Sequence, residues 1–199
     1  MNEQGSKEWL NDRRGKATAS KFNVLMAVRG LGKTAKDYAL EIAADSIIVT
    51  PDEINQSQAM KDGAELEPYA AKRYEMEELA KVHEVGFLNH PSNQLIGGSP
   101  DRLIGEDGGL EIKCPKQTKH ISNLMATECP TEYYDQIQGL MYITGRKWWD
   151  FVSFNPTFVQ EKQYICIEVF PNPKWVETFE ARLVEFEKLV NEYKLKLNK

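Results

Sequence analysis

Apolar residues recur every three to four positions in several stretches of the chain, which is the spacing of one face of an α-helix. The stretches that predict helices are 18–27, 35–48, about 59–83, 131–144 and 173–199. Gly145 directly follows the fourth of these, at a position where glycine commonly ends a helix. The pattern therefore predicts helices in the first half of the chain, one in the second half, and one at the end.

From about residue 85 the apolar residues fall in short runs bounded by glycine, proline or asparagine, a pattern typical of strands. These runs are 86–90, 94–98, 109–113, 149–154 and 164–169. A single crossover helix, 131–144, is expected between the third strand and the fourth. This order predicts an α/β fold with a mixed central sheet flanked by helices. No linker or repeat divides the 199 residues, so we expect one domain over 1–199.

Composition excludes several kinds of protein. No apolar run is long enough to span a bilayer, and the first residues lack the basic and apolar regions of a signal peptide, so a cytoplasmic protein without membrane contact is expected. The three cysteines form no CxxC pair, and the three histidines lack zinc-site spacing. Any metal must therefore be held by oxygen ligands. The net charge of −5 argues against binding nucleic acid through bulk positive charge, but it allows a local basic surface.

Charged residues flank a predicted hairpin turn at 105–109. Because side chains alternate along a strand, Glu111 and Lys113 share one face while Leu110 and Ile112 point to the other. The hairpin brings Asp101 beside Glu111, and two neighbouring carboxylates repel each other unless a cation lies between them. A hard ion such as Mg²⁺, bound through one or two carboxylates, removes this repulsion. The alternative, from the residues alone, is a solvated surface hairpin with an incidental Glu/Lys pair.

Two segments carry a family resemblance. Ser99-Pro100-Asp101, followed after a turn by Gly108-Gly-Leu-Glu111-Ile-Lys113-Cys-Pro115, closely resembles the PD-(D/E)xK nuclease signature of the phage lambda exonuclease and YqaJ-like viral recombinase family. Near the start of the chain, Trp9, Arg13, Gly15 and Thr18-Ala-Ser20 resemble the N-terminal motif of the same family. The resemblance implies a restriction-endonuclease-like core.

The resemblance also implies a metal site. Asp101 and Glu111 would bind one or two Mg²⁺ ions, for which Mn²⁺ is a possible substitute, and the backbone carbonyl of Leu110 or Ile112 would add a ligand. Glu67 would supply a third carboxylate from a helix, because it follows Gly63 with the spacing of the family's Gly-x-x-x-Glu segment.

Further catalytic roles follow from the same resemblance. Lys113, together with Gln138, would activate or position the attacking water. Gln138 and Tyr142 resemble the Gln-x-x-x-Tyr motif of exonucleases related to RecB, and residues four apart share a helix face. Tyr142 and Gln136 are therefore expected to support the site.

The family's residues for the DNA end correspond to Arg13, Ser20 and Ser99, which would hold the 5′-phosphate. Guanidinium and hydroxyl donors suit a phosphate dianion. Arg14 competes with Arg13 for this role. Met60 falls where the family can place an apolar wedge against a frayed DNA end, and ordinary packing is the alternative.

The function implied is that of an alkaline-type, Mg²⁺-dependent exonuclease. It would degrade one strand of linear double-stranded DNA from 5′ to 3′, release mononucleotides, and leave a 3′ single strand for annealing recombination. The resemblance further implies a homotrimeric ring around the DNA, a single-strand annealing protein as partner, and a phage or prophage origin in a bacterial host. The alternatives are a PD-(D/E)xK endonuclease of restriction or repair type and a DNA-end-binding module without catalysis.

Overall fold

The computed structural model describes residues 5–49 and 57–199, which form two sheets and the helices around them. The helices are α1 (Lys7–Arg13), α2 (Phe22–Leu25), α3 (Lys33–Ala44), α4 (Gln58–Glu77), α5 (Gln117–Leu124), α6 (Thr131–Thr144) and α7 (Pro173–Leu197). The strands are β1 (Ala17–Thr18), β2 (Val82–His83), β3 (Leu88–Asn89), β4 (Ile96–Gly98), β5 (Arg102–Ile104), β6 (Gly108–Lys113), β7 (Trp148–Phe154) and β8 (Tyr164–Val169). Short 3-10 turns cover Ala19–Lys21 and Gln160–Lys162.

The larger sheet has the strand order β2-β5-β6-β7-β8. Strands β6 and β7 run parallel, while the other neighbouring pairs are antiparallel. A parallel pair needs a long crossover connection, and α5 and α6 together provide it. The predicted mixed sheet flanked by helices is therefore confirmed, but the prediction of a single crossover helix was wrong, because the amphipathic pattern of α5 covers only two turns.

The smaller sheet joins the start of the chain to the segment before Asp101. In its order β1-β4-β3, β1 lies parallel to β4, and Thr18 pairs with Gly97. At Gly98, β4 approaches both α6 and the turn Ala19–Lys21 so closely that an added Cβ would lie 2.7 Å from Leu140 Cδ2 and 3.1 Å from Ala19 Cβ. The two segments that resemble the nuclease family are thus brought together in space.

The strands of the larger sheet send apolar side chains to both of its faces. Leu110 and Ile112 of β6 pack on the α4 side, in a buried cluster that also contains Ala70, Ala71, Tyr74, Ile104, Val152 and Phe154. Trp149 and Phe151 of β7 face the other cluster, which includes residues of α3, α6 and α7. Burial of each large side chain contributes about 1.5–3 kcal/mol. Alternation in β6 therefore directs Glu111 away from α4 and towards α6.

The helices follow the predicted pattern where that pattern is long. The helix over 131–144 is confirmed, and Gly145 ends it in the left-handed conformation, with φ of 68°. The helix predicted over 59–83 is wrong beyond Glu77, since Leu79 turns the chain with φ of 52° and β2 follows. The helix predicted over 18–27 is shorter than expected, because Ala17–Thr18 pairs with β4 instead.

Short elements were missed: α1 and α5 among the helices, and β1, β2 and β5 among the strands. Each of these strands has only two or three residues, and β1 and β2 pair with strands that lie far away in the sequence. None of the helices in the described ranges has the length and apolar composition needed to cross a lipid bilayer.

Candidate active site

The β5–β6 hairpin holds Asp101 against the neighbouring strand. Arg102 pairs with Leu110, so Asp101, which directly precedes β5, lies opposite Glu111. The carboxylate Oδ2 of Asp101 accepts a hydrogen bond of 2.7 Å from the backbone N–H of Ile112. The hairpin turn was predicted from its glycines and acidic residues, and it brings the two carboxylates together as expected.

Glu111 is completely buried in the middle of the larger sheet. Its Oε1 accepts hydrogen bonds from Lys113 Nζ and from Gln136 Nε2, the latter at 2.6 Å. Its Oε2 is buried without a hydrogen-bond partner in the described part of the chain. Burial and the nearby charge of Asp101 raise the pKa of Glu111 to about 8. Such an unsatisfied carboxylate oxygen is costly unless a cation or a donor reaches it.

Lys113 supplies the positive charge of this cluster. Burial tends to lower the pKa of its ammonium group, but the carboxylates of Glu111 and Asp101 outweigh that effect and hold the pKa above its ordinary value. The Nζ atom also lies 5.6 Å from the centre of the Tyr133 ring, within range of a cation–π contact. Lys113 is therefore a protonated donor at neutral pH.

Glu67 reaches the cluster from α4, but through an arginine that sequence analysis missed. Arg102 Nη1 lies 2.7 Å from Glu67 Oε1, and Arg102 Nη2 lies 2.9 Å from Glu84 Oε1. Burial and the charge of Asp101 raise the pKa of Glu67, and Arg102 opposes that shift. The signal for Arg102 was its place directly after Asp101, at the start of a strand too short to recognise.

The carboxylates fit a divalent cation chemically, although other charges compensate two of them here. Within residues 5–49 and 57–199, no three His, Cys, Asp or Glu side chains are arranged as a ready-made metal cage. Arg102 holds Glu67, and Lys113 holds Glu111. The unpartnered Oε2 of Glu111 and the raised pKa values of Glu111 and Glu67 are the features that a bound cation would relieve.

Gln138 lies away from the carboxylates. Its side chain is buried, donates from Nε2 to the backbone oxygen of Phe170 at 2.8 Å, and accepts at Oε1 from the backbone N–H of Asn172 at 2.8 Å. Tyr142, four residues later, donates to Glu180 at 3.1 Å and stacks on His90. The expectation that this pair faces the site therefore needs correction.

Gln136 takes the position at the carboxylates that the sequence predicts for Gln138. Residues two apart on a helix with 3.6 residues per turn point to nearly opposite sides. Gln136 consequently faces β6 and reaches Glu111, whereas Gln138 faces the segment before α7. Gln138 and Tyr142 do share a helix face, but Gln138 bonds to residues 170–172 and Tyr142 bonds to Glu180 instead of reaching the carboxylates.

A second group of polar side chains lies beside the carboxylates. The indole Nε1 of Trp9 donates to Ser99 Oγ at 2.9 Å, and Arg13 Cζ lies 4.2 Å from the centre of the Trp9 ring. Ser20 is exposed, and its Oγ lies 3.2 Å from Thr18 Oγ1. Since Ser99 is two residues before Asp101, their Cα atoms are at most about 7 Å apart. The Trp9–Arg13–Ser99 group therefore adjoins the carboxylate cluster.

Arg13 and Arg14 have different environments. Arg14 Nη2 donates to the backbone oxygens of Asp45 at 3.1 Å and Ile48 at 2.6 Å, which fastens α1 to the end of α3. Arg13 forms no hydrogen bond or ion pair with its side chain in the ranges that the structure describes, and burial lowers the pKa of its guanidinium. Of the two arginines, Arg13 has N–H donors available for an anion.

Met60 lies on the first turn of α4, and 57% of its surface is exposed. A groove of about 510 Å³ runs beside this turn and reaches the residues next to Glu67 and Lys113. Its lining consists of Ala59, Asp62, Leu66, Cys114, Pro115, Lys116, Gln117, Asn155, Pro156 and Thr157. Burial raises the pKa of the Cys114 thiol to about 12, so this cysteine is an unreactive part of the wall.

Comparisons with known proteins agree with this architecture. The chain is 34% identical to an alkaline exonuclease from Laribacter hongkongensis, with 97% of this chain and 98% of that chain covered and a TM-score of 0.83. A structure described as the same exonuclease in complex with dAMP gives a TM-score of 0.85, with the same identity and coverage. A phage-related exonuclease from Haemophilus somnus, at 14% identity and with 92% of this chain and 96% of that chain covered, shares the fold with a TM-score of 0.73.

A longer relative comes from Acanthamoeba polyphaga mimivirus. Its uncharacterized protein R354 is 25% identical over 170 residues, which is 76% of this chain but only 29% of the mimivirus protein. The chain thus spans less than a third of that relative. The model of the YqaJ-like viral recombinase domain family matches residues 8–147. With most of its length matched, and with the fold of a PD-(D/E)xK exonuclease, this chain belongs to the YqaJ-like viral recombinase domain family.

Proposed function

We propose that this protein is a metal-dependent exonuclease that degrades one strand of linear double-stranded DNA from 5′ to 3′. It releases mononucleotides and leaves a 3′ single-stranded overhang for annealing recombination. The observation that carries the proposal is the buried Glu111, which keeps one carboxylate oxygen unpartnered beside Asp101 and Lys113. Membership of a family related to alkaline exonucleases supports the same reaction class.

The carboxylates form the metal site in this proposal. Asp101 and Glu111 would hold one or two Mg²⁺ ions, or Mn²⁺ as a substitute, with the backbone carbonyl of Ile112 and the carboxylate of Glu67 completing the set. Bound metal ions supply Lewis-acid stabilisation of the attacking and leaving oxygens in phosphodiester hydrolysis. Arg102 keeps Glu67 oriented towards the cluster, because its guanidinium bonds to that carboxylate and packs next to Asp101.

Lys113 and Gln136 act on the phosphate and the water in the proposed reaction. The ammonium of Lys113 stays protonated beside the carboxylates and stabilises negative charge as it develops on the phosphate oxygens. Gln136 donates one amide hydrogen to Glu111, which leaves its amide oxygen to accept a hydrogen from a water molecule. The role that sequence analysis gave to Gln138 thus belongs to Gln136.

The polarity of digestion comes from the second polar group. Arg13, Ser20 and Ser99 would bind the terminal 5′-phosphate through guanidinium and hydroxyl donors. Ser99 and Asp101 are so close along the backbone that a strand held at its 5′-phosphate presents its next phosphodiester to the carboxylates. Release of single nucleotides follows from this spacing. Met60, exposed beside the groove, would separate the end of the duplex as an apolar wedge.

Replacing Glu111 by Gln tests the buried charge. We expect the metal-dependent rate to fall by more than roughly 100-fold, because a metal ligand is lost. The raised pKa of Glu111 means that ionisation of this carboxyl destabilises the fold, fully above about pH 8 and less as the pH falls towards its ordinary value of 4.5. In metal-free buffer, the melting temperature of Glu111→Gln relative to wild type should therefore be higher at pH 9 than at pH 6. A relative melting temperature that does not change with pH would contradict the assignment.

A pair of glutamine variants separates catalysis from folding. Gln136→Ala should slow DNA digestion by roughly 10- to 100-fold, as expected when a neighbour of a metal ligand is removed, and should lower the melting temperature only slightly, because Lys113 still donates to the same oxygen of Glu111. Gln138→Ala should instead lower the free energy of unfolding by about 1–3 kcal/mol, because the buried amide is removed and the backbone groups of Phe170 and Asn172 lose their hydrogen-bond partner. The folded Gln138→Ala protein should keep its specific activity. The opposite pattern of losses would restore Gln138 as the catalytic residue.

Substrate ends test the reaction type and the polarity. Linear duplex with 5′-phosphate ends should be digested to mononucleotides about 10- to 100-fold faster than duplex with 5′-hydroxyl ends, since charge-assisted hydrogen bonds to the phosphate are lost. Covalently closed circular duplex should remain intact in the same Mg²⁺ buffer. Efficient nicking of the circle would support the alternative of a PD-(D/E)xK endonuclease.

We further propose a homotrimeric ring around the DNA and a single-strand annealing protein as its partner. A chain with net charge −5 needs its basic residues concentrated on one surface to hold DNA. Arg13 and Lys16, which both lie near the Phe87 ring, form part of such a surface. Light scattering during gel filtration should give three times the mass of one chain. A monomer would overturn the ring but not the nuclease.

A further inference from the structure

Trp9 contacts both of the groups proposed to bind the terminal phosphate. Its indole N–H donates to the hydroxyl oxygen of Ser99 at 2.9 Å, across 90 positions of sequence. Its ring lies 4.2 Å from the guanidinium carbon of Arg13, four residues later on α1. The backbone N–H of Trp9 donates to Ser6 Oγ at 3.1 Å, the side chain that caps α1. Trp9 is therefore fixed at the start of its helix and connects α1 to the loop after β4.

The hydrogen bond from Trp9 determines how Ser99 can act. An indole nitrogen only donates, so Ser99 Oγ must be the acceptor in this bond. The hydroxyl hydrogen of Ser99 is then left to be donated elsewhere. Among residues 5–49 and 57–199, no second hydrogen-bond partner takes it. Because Trp9 donates to Ser99, the hydroxyl of Ser99 keeps its own hydrogen, and it can donate that hydrogen to a phosphate oxygen, which only accepts.

The contact with Arg13 has a similar effect. A cation–π contact attracts the guanidinium through its charge and uses none of its N–H donors. Arg13 has no carboxylate or carbonyl partner for its side chain within the described ranges, although its surroundings are desolvated enough to lower its pKa. Phe87 is a more distant ring, with its centre 5.9 Å from the guanidinium carbon, and it has no polar hydrogen. Trp9 thus holds Arg13 in place while its donors remain available.

We infer that Trp9 is a positioning residue for the 5′-phosphate, which orients the donors of Ser99 and Arg13 towards one anion. Trp9 does not itself touch the phosphate. Its N–H group donates to the hydroxyl of Ser99, and its ring holds the guanidinium of Arg13. This inference rests on the proposed function, because it assumes that Arg13 and Ser99 bind the 5′-phosphate of the DNA end.

The test compares initial rates on linear duplex with 5′-phosphate and 5′-hydroxyl ends in Mg²⁺ buffer, and the end preference is the ratio of the two. Trp9→Phe keeps a ring for Arg13 but removes the indole N–H. Its end preference should fall by about three- to tenfold, which is the fold-change that corresponds to the free energy of one hydrogen bond. Trp9→Leu also removes the ring, and a further loss of about two- to fivefold is expected.

A double-mutant cycle isolates the path through Ser99. Ser99→Ala alone should lower the end preference, and adding Trp9→Phe to it should cause no further loss, because the acceptor of the indole N–H is already gone. Adding Trp9→Leu to Ser99→Ala should still lower the preference through Arg13. Trp175→Phe is the matched control, since it removes an indole N–H that donates to Asp135 at 2.8 Å on another part of the molecule. That control should not change the end preference.

The outcomes separate the two proposals. If wild type shows no preference for 5′-phosphate ends, the proposed end binding fails, and the role of Trp9 fails with it. If wild type shows the preference and Trp9→Phe retains it in full, only the role of Trp9 is overturned. Equal slowing on both kinds of end would also overturn it, because that result indicates a purely structural tryptophan. Should Trp9→Phe not fold, Trp9→benzothienylalanine keeps the indole shape with sulfur in place of the N–H, and the same loss of preference is expected.

Discussion

The site depends on the contacts that the buried carboxyl group of Glu111 makes with Lys113 and Gln136. An ionised carboxylate in a protein interior costs several kcal/mol unless partners compensate it. Lys113 and Gln136 compensate one oxygen, and the other oxygen has no partner in the described part of the chain. Strands on both sides of β6 hold the residue in place, so the fold keeps a carboxyl group where its ionised form is poorly compensated. Groups with pKa values perturbed in this way are concentrated at functional sites.

The segment between β4 and β5 joins the carboxylate cluster around Glu111 to the Trp9–Arg13–Ser99 group. Strand β4 belongs to the smaller sheet and β5 to the larger one, so Ser99 lies where the chain passes from one sheet to the other. The close approach of Gly98 to Leu140 fixes the first sheet against α6, and the bond from Ile112 to Asp101 fixes the second. In the proposed function, this rigid passage sets the distance between the bound DNA end and the bond that is cut.

Sequence patterns predicted the hairpin and its charged face correctly, because alternation along a strand is a local property. They failed at Gln138, since helical spacing shows which residues share a face but not what that face contacts. Gln136 and Gln138 differ in function only because β6 lies on one side of α6 and residues 170–172 lie on the other. Arg102 was missed for a related reason, since β5 has three residues and its partner β2 has two.

The sequence by itself determined the elements whose signals are short in range. These are the period of α6 and its glycine stop, the alternation of Glu111 and Lys113, and the hairpin turn. Only the tertiary structure decided which of these groups meet. The Trp9–Ser99 bond spans 90 positions and the Arg102–Glu67 bond spans 35, and neither separation leaves a local pattern. Such contacts form because the two sheets and the helices pack against one another, and packing over long distances in sequence is not encoded by any single stretch of residues.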